Sequence, residues 1–289
     1  MKYALLFIIL TGCIASIPEE TGSIEAFFCD KVNCTQLFAQ KTQNASRIDC
    51  ALYHSNTAFN ELLSQKAFRL VTDEDHPFQG AVKEFGGGLM HNKFCVIDNE
   101  FVWTGSWNPY QEKTIPNNVV LIQSKTLAKA YLSEFDELFG EIFHKGASNP
   151  GLVKFNGQLL EAYFCPEDEC QSRVLKALEK SEKSIHFMTY AFTDDKIGEL
   201  LQSKKQQGID VKGVFRAPNE KGGEYPRLKD VSKKGNVHHK VFIIDGSTVI
   251  TGSYNPSERA NKFNDENIVI IRDLQIAEQF EKEFSRLFD

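Results

Sequence analysis

Two short segments of this sequence set a histidine, a lysine and an aspartate at one spacing: His91-x-Lys93-x4-Asp98 and His238-x-Lys240-x4-Asp245. Each is followed by a similar second segment, Gly105-Ser106-Trp107-Asn108 in one case and Gly252-Ser253-Tyr254-Asn255 in the other. An imidazole tuned near neutrality can attack phosphorus, donate a proton or accept one, and a lysine offsets the charge on phosphate oxygens. Side chains two apart on a strand point the same way, so the histidine and lysine of each motif can face one cavity. Cleaving a phosphodiester needs a nucleophile for phosphorus and an acid for the departing alkoxide, and two histidines cover both tasks. The hydroxyls of Ser106 and Ser253 and the amides of Asn108 and Asn255 suit phosphate oxygens. A lone His-x-Lys would carry little weight; the same constellation occurring twice, with the same companion segment, carries much more.

The elements that must hold these residues also come in pairs. Glu25-Ala26-Phe27-Phe28-Cys29 recurs as Glu161-Ala162-Tyr163-Phe164-Cys165, and Leu138-Phe139 recurs as Leu287-Phe288. The second half is longer ahead of its motif, around Ala217 to Tyr225. Period and punctuation predict strands at 24–28, 48–53, 94–97, 159–164, 185–190 and 241–244. They predict helices at 35–42, 58–65, 171–183 and 196–206. Strands alternating with helices imply an α/β class with helices on both faces of the sheets. The repeats are read as 19–150 and 151–289, joined near Gly146 to Gly157.

On these motifs the sequence resembles the phospholipase D superfamily over about residues 24 to 289. The resemblance implies an α/β/α sandwich in each half, packed about a pseudo-two-fold axis with both motifs at the interface. It further implies a two-step reaction through a phosphohistidine, with neither metal nor cofactor. His91 would be the nucleophile and His238 the general acid, although quasi-symmetry leaves the reverse assignment open. Lys93, Lys240, Asn108 and Asn255 would hold the non-bridging oxygens, and Ser106 and Ser253 would assist them. Asp98 and Asp245 complete the catalytic motif set, either orienting and supporting it or serving a purely structural role. Many members carry a Glu after the Gly-Ser-x-Asn segment that orients the opposite histidine. Glu266 fits that place, whereas the first half has Asn117, so the two histidines are expected to be inequivalent. His239 should point to the other face of its strand. His54, His76, His144 and His186 have no partner pattern and read as structural or surface residues.

A formal charge of −6 and a pI near 5.7 weigh against a protein that coats nucleic acid nonspecifically. A local basic patch remains at Arg227, Lys229, Lys233 and Lys234, readable as a solvated loop or as a phosphate-facing surface. At the N-terminus, Lys2, the apolar run Tyr3 to Leu10 and the small residues beyond form an export signal over residues 1–18. Leu10-Thr11-Gly12-Cys13 resembles a bacterial lipobox, in which the cysteine carries a lipid anchor; a cut after Ala15 fits as well. The mature protein is thus expected to be exported, either secreted or membrane-anchored outside the cytoplasm. Export permits disulfides, and Cys29/Cys34 and Cys165/Cys170 are read as local staples. Cys95 is read as a buried free thiol, and Cys50 is unassigned. The expected molecule is a monomer with an internal pseudo-dimer. Three readings of the substrate stand: a phospholipid headgroup ester, a DNA or RNA phosphodiester cut by an endonuclease, or a phosphate ligand bound without turnover.

Overall fold

A computed structural model describes residues 16–73, 78, 80–110, 115–216 and 225–289. The leader with Cys13, His76 and most of the 217–225 insertion lie outside the described residues. Two sheets organise the chain. The first orders its strands as Ile24–Phe28, Asn118–Gln123, Phe101–Gly105, Lys93–Ile97, Arg47–Leu52, Ala67–Thr72 and Val82–Lys83. The second runs Glu19–Glu20, Gly151–Phe155, Gln158–Cys165, Glu266–Arg272, Thr248–Gly252, Lys240–Ile244, Ser184–Thr189, Asp210–Arg216 and Ser232–Gly235. Their centres repeat one pattern: each motif strand pairs antiparallel with the strand after it and with an earlier one, Arg47–Leu52 or Ser184–Thr189.

The motif strands are apolar on both faces because both faces are covered. Phe94 and Val96 join a central core with Val241 and Ile243, whereas Cys95 and Ile97 belong to one outer core and Phe242 and Ile244 to another. The central core is filled by Lys125–Phe139 and Leu274–Phe288, the long helices that close each half. They lie between the two sheets and contribute Tyr131, Phe135, Phe280 and Phe284. The outer layers are Cys34–Lys41 and Thr57–Ser64 on one side and Cys170–Leu178 and Asp195–Gln206 on the other. Side chains of Asn33, Asn56, Ser124, Asp194 and Asp273 accept backbone N–H groups in the first turns of their helices, fixing where those helices begin. The α/β class and the pair of similar sandwiches are therefore as the sequence implied.

The strands Ala67–Thr72, Asp210–Arg216 and Gly151–Phe155 are additions to that reading. The last lies inside the stretch read as a junction, and Glu19–Glu20 pairs with it, so the start of the first half forms an edge of the second sheet. Cys29–Cys34 and Cys165–Cys170 form disulfides. The reading of Cys95 as a free thiol is corrected. It is bonded to Cys50, its directly opposite residue on the neighbouring antiparallel strand, with Cα atoms 4.1 Å apart. Forty-odd intervening residues hide that pairing from local spacing, and only strand register brings the two together.

The closing helix also ties the halves together through one carboxylate. Glu283 is buried, with Lys31 at 2.5 Å, Arg286 at 2.5 Å and His239 Nε2 at 3.5 Å. Burial alone would raise its pKa; hydrogen bonds from His239, Arg286 and Lys31 outweigh that and bring it to about 2. A depressed folded-state pKa stabilises the fold above the unfolded value and loses that stabilisation as pH falls through the folded one. Glu283→Gln should lower urea-unfolding stability at pH 7 by about 2 kcal/mol, allowing for solvent screening of its exposed cations. The gap from wild type should narrow between pH 5 and pH 2.

Candidate active site

The two motifs meet at the seam between the sheets, where each half holds the other's histidine. The backbone N–H of His91 donates to the carbonyl of Asp265 at 3.0 Å, and that of His238 donates to the carbonyl of Pro116 at 2.9 Å. One step inward, Asn118 Nδ2 donates to Thr251 Oγ1 and Asn267 Nδ2 donates to Thr104 Oγ1, both at 2.8 Å. These reciprocal bonds are the pseudo-two-fold relation in atomic form. Close approach here requires glycine at two positions. A Cβ on Gly105, at φ +155°, would sit 2.3 Å from the carbonyl oxygen of Asn118, and one on Gly252, at φ +147°, would sit 2.2 Å from that of Asn267.

Around this axis the histidines have matched settings. His91 Nδ1 lies 2.8 Å from Glu266 Oε2, and His238 Nδ1 lies 2.7 Å from Asn117 Oδ1 and 3.0 Å from the carbonyl of Ser106. In each case Nδ1–H is committed to an acceptor, which leaves Nε2 to the reacting centre. Lys93 Nζ donates to the His91 carbonyl at 2.7 Å, and Lys240 Nζ donates to the His238 carbonyl at 2.8 Å. Tyr53 packs edge-on against His91 at 4.8 Å between ring centroids, and Tyr190 against His238 at 4.7 Å.

The electrostatics belong to one site. Burial, then the charges of Lys93, Lys240 and Arg259, hold His91 well below its ordinary pKa; burial, then Lys240, Lys93 and His91, do the same to His238. Burial brings Lys93 down to about 7 despite Glu266 and Asp73, and lowers Lys240 as well. Glu266 is pushed up to about 7 by burial, against the pull of Lys93, Ser253, Asn264 and Lys240. Keeping ammonium and imidazolium groups out of water costs several kcal/mol per ion unless an anion accompanies them. A phosphate held between the motifs would supply that anion.

Several expected roles change. Asp98 and Asp245 do not approach the imidazoles: both sit at the far ends of their motif strands, at φ +50° and +53°. Asp98 accepts the N–H groups of Ser46 and Arg47, and Asp245 those of Glu182, Lys183 and Ser184, so each ties a turn to its sheet and is not catalytic. Ser106 and Ser253 serve the site indirectly. Ser253 donates to Glu266 at 2.7 Å and accepts from the Asn267 N–H; Ser106 lies 3.5 Å from Asn117 Oδ1 and accepts from the Asn118 N–H. Both hydroxyls thus orient the histidines' partners. Asn255 Oδ1 accepts the Ala191 N–H at 3.4 Å, holding the loop beyond Tyr190, and Asn108 is buried in the matching place. His239 does not share the setting of His238: its Nδ1 lies 2.9 Å from Asn118 Oδ1 of the other half and its Nε2 3.5 Å from Glu283. His186 is structural, paired with Glu281 and stacked on Phe284.

Two further features escaped the sequence reading. Tyr53 and Tyr190 end the paired strands 48–53 and 185–190, and their recurrence at matched places was the available signal. His144, in the linker between halves, bridges them: Nε2 meets Glu84 at 2.9 Å, Nδ1 lies 3.1 Å from Asp265, and the backbone N–H donates to Asp265 at 2.6 Å. Burial lowers its pKa, but the carboxylates of Asp265 and Glu84 prevail and raise it to about 9, so a protonated ring clamps the residue beside Glu266. Nothing in local spacing marks a histidine whose partners come from two distant segments.

Comparison with known proteins agrees with this geometry. The family described as "Cardiolipin synthase, PLD-like domain" matches residues 31–139 and 174–288. Phospholipase D of Rickettsia typhi is 34% identical, covering 66% of this chain and 91% of its own length. Mitochondrial cardiolipin hydrolase of Mus musculus is 30% identical across 41% of this chain and 58% of its own. In fold, the phosphatidylserine synthase of Haemophilus influenzae Rd KW20 superposes with a TM-score of 0.65 at 12% identity, covering 92% of this chain and 86% of that one. With both motifs converging on one buried seam and the family matched in both halves, the chain belongs to the phospholipase D superfamily and is a phosphodiesterase hydrolase.

Proposed function

We propose that this protein hydrolyses the headgroup phosphodiester of a phospholipid through a phosphohistidine, using protein groups alone. The observation that carries the reading is the seam itself, where two imidazoles with committed Nδ1 atoms and two buried lysines surround one place for a phosphate. One Nε2 attacks phosphorus while the other ring protonates the leaving alkoxide; that second ring then takes a proton from water as the water displaces the first. Lys93 and Lys240 offset the negative charge gathered on the phosphoryl oxygens. By position alone either ring could attack.

A lipid is favoured over a nucleic acid on three grounds. The relatives similar over most or part of the chain are named phospholipase D and cardiolipin hydrolase. Exposed aromatics stand at the catalytic end: Phe85 at 75% exposure in the segment leading to His91, Phe263 at 53% just before Glu266, and Tyr110 at 45%, packed on His54. Such a rim suits a lipid–water interface. Finally, two cations of the basic patch are engaged locally: Arg227 pairs with Asp195 and Glu199, and Lys233 with the Phe288 carbonyl. Export belongs to the same reading, since three disulfides fit an oxidising compartment and the leader would place the enzyme beside its substrate, anchored if Cys13 is lipidated.

Purified protein should release headgroup from choline phospholipid or cardiolipin vesicles at a rate unchanged by excess EDTA. Cleavage of single-stranded DNA with no lipid turnover would replace this reading with the nuclease one. His91→Ala and His238→Ala should each lower kcat/KM by about a thousandfold or more, because neither step proceeds with one ring. Glu266 becomes a carboxylate only as pH rises through about 7, so it should supply the rising limb of the pH profile of kcat/KM. Glu266→Gln should remove that limb, leaving activity that only declines with pH, at a rate about a hundredfold lower.

A further inference from the structure

We infer that Asn117 decides which histidine becomes phosphorylated: by standing where its counterpart is a carboxylate, it confines the phosphohistidine to His91 and makes His238 the leaving-group acid. The inference rests on the covalent reading above and concerns the internal difference between two otherwise matched rings.

The match is close. Each histidine has its backbone N–H held across the seam, a lysine on its own carbonyl, a tyrosine edge-on to its ring and a serine hydroxyl beside its Nδ1 partner. The partners themselves differ. Glu266, buried and supported by Ser253 and Asn264, offers His91 an oxygen able to carry full negative charge. Asn117 is equally buried and offers His238 an amide oxygen, turned to the ring because its amino group donates to the Ile115 carbonyl at 2.7 Å. The second acceptor at His238, the Ser106 carbonyl, is also neutral.

As His91 Nε2 bonds to phosphorus, its ring gains positive charge, and a hydrogen bond to a carboxylate strengthens with that charge far more than one to an amide. The same charge dependence works the other way at His238. An imidazolium facing neutral oxygens, with Lys240 Nζ 3.2 Å from its Nε2, is poorly stabilised and parts readily with its proton. In the first step the Nε2 lone pair of His91 forms the N–P bond, the P–O bond to the headgroup breaks with its electron pair, and the His238 proton goes to that oxygen. In the second step water yields a proton to His238, its oxygen bonds phosphorus, and the N–P pair returns to His91. Both partners hold the same tautomer, but only one rewards charge on the ring.

The test is to map the covalent phosphoryl group in the full-length protein, quenched in base during turnover of dihexanoyl phosphatidylcholine and read by peptide mass spectrometry. Wild type should carry the label on the peptide with His91. Transposing the partners in N117E/E266N should move it to the peptide with His238. Asn117→Glu alone, which needs only one change in a pocket already furnished with Ser106, should label both histidines and covers the case of a transposed protein that does not fold. Label remaining on His91 alone in either variant, or lying on His238 in wild type, would overturn the assignment. A turning-over wild type with no label on either histidine would instead overturn the phosphohistidine on which it rests.

Discussion

Two backbone hydrogen bonds across the seam, from His91 to Asp265 and from His238 to Pro116, are the constraint from which the site follows. They set each motif strand against the other half's segment that supplies the histidine partner, so imidazole and partner arrive together. The reciprocal asparagine–threonine bonds just inside fix the depth of that contact, and the glycines at 105 and 252 let the backbones come close enough to make it. The central helices fill the space between sheets with apolar side chains and keep the seam from opening. Neither half carries a complete site, because the acceptor for each ring belongs to its neighbour.

That closure has an electrostatic cost which is also the source of reactivity. Two lysines and two imidazoles are buried together with the carboxylates of Glu266 and Asp73, and burial lowers the proton affinity of the lysines and histidines while it raises that of Glu266. Ionisable groups so poised respond sharply to an incoming anion. The clamp of His144 on Glu84 and Asp265 belongs to this balance. The ring pairs with Glu84 of the first half and with Asp265, one residue from Glu266, and leaves Glu266 the acid that faces His91.

Much of this was legible from residue order. The duplicated His-x-Lys, the recurring Glu-Ala-aromatic-Phe-Cys strands and the alternation of strand with helix carry the paired architecture. Glu266 and Asn117 were visible as unlike residues in like places. What the chain order conceals are relations set by register and by the meeting of distant segments. Cys50 and Cys95 pair because two strands align them, and His144 finds its partners only once the linker is folded. Motif membership also misleads about place: Asp98 and Asp245 recur as faithfully as the histidines, yet five residues of extended strand carry them to the opposite end of the sheet, where they secure turns. Ser106 and Ser253 are near the chemistry but spend their hydroxyls on the histidines' partners.

The joining of both halves in one polypeptide has a consequence for how such a site can change. In an assembly of two identical chains, every substitution is made twice, so a catalytic pair across the axis must remain a pair of equals. A covalently fused duplicate is free of that rule: one copy can exchange a carboxylate for an amide while the other keeps it, as at 117 and 266. The linker from the first closing helix to the second sheet thus does more than tether. It turns a symmetric vessel into one with a front and a back.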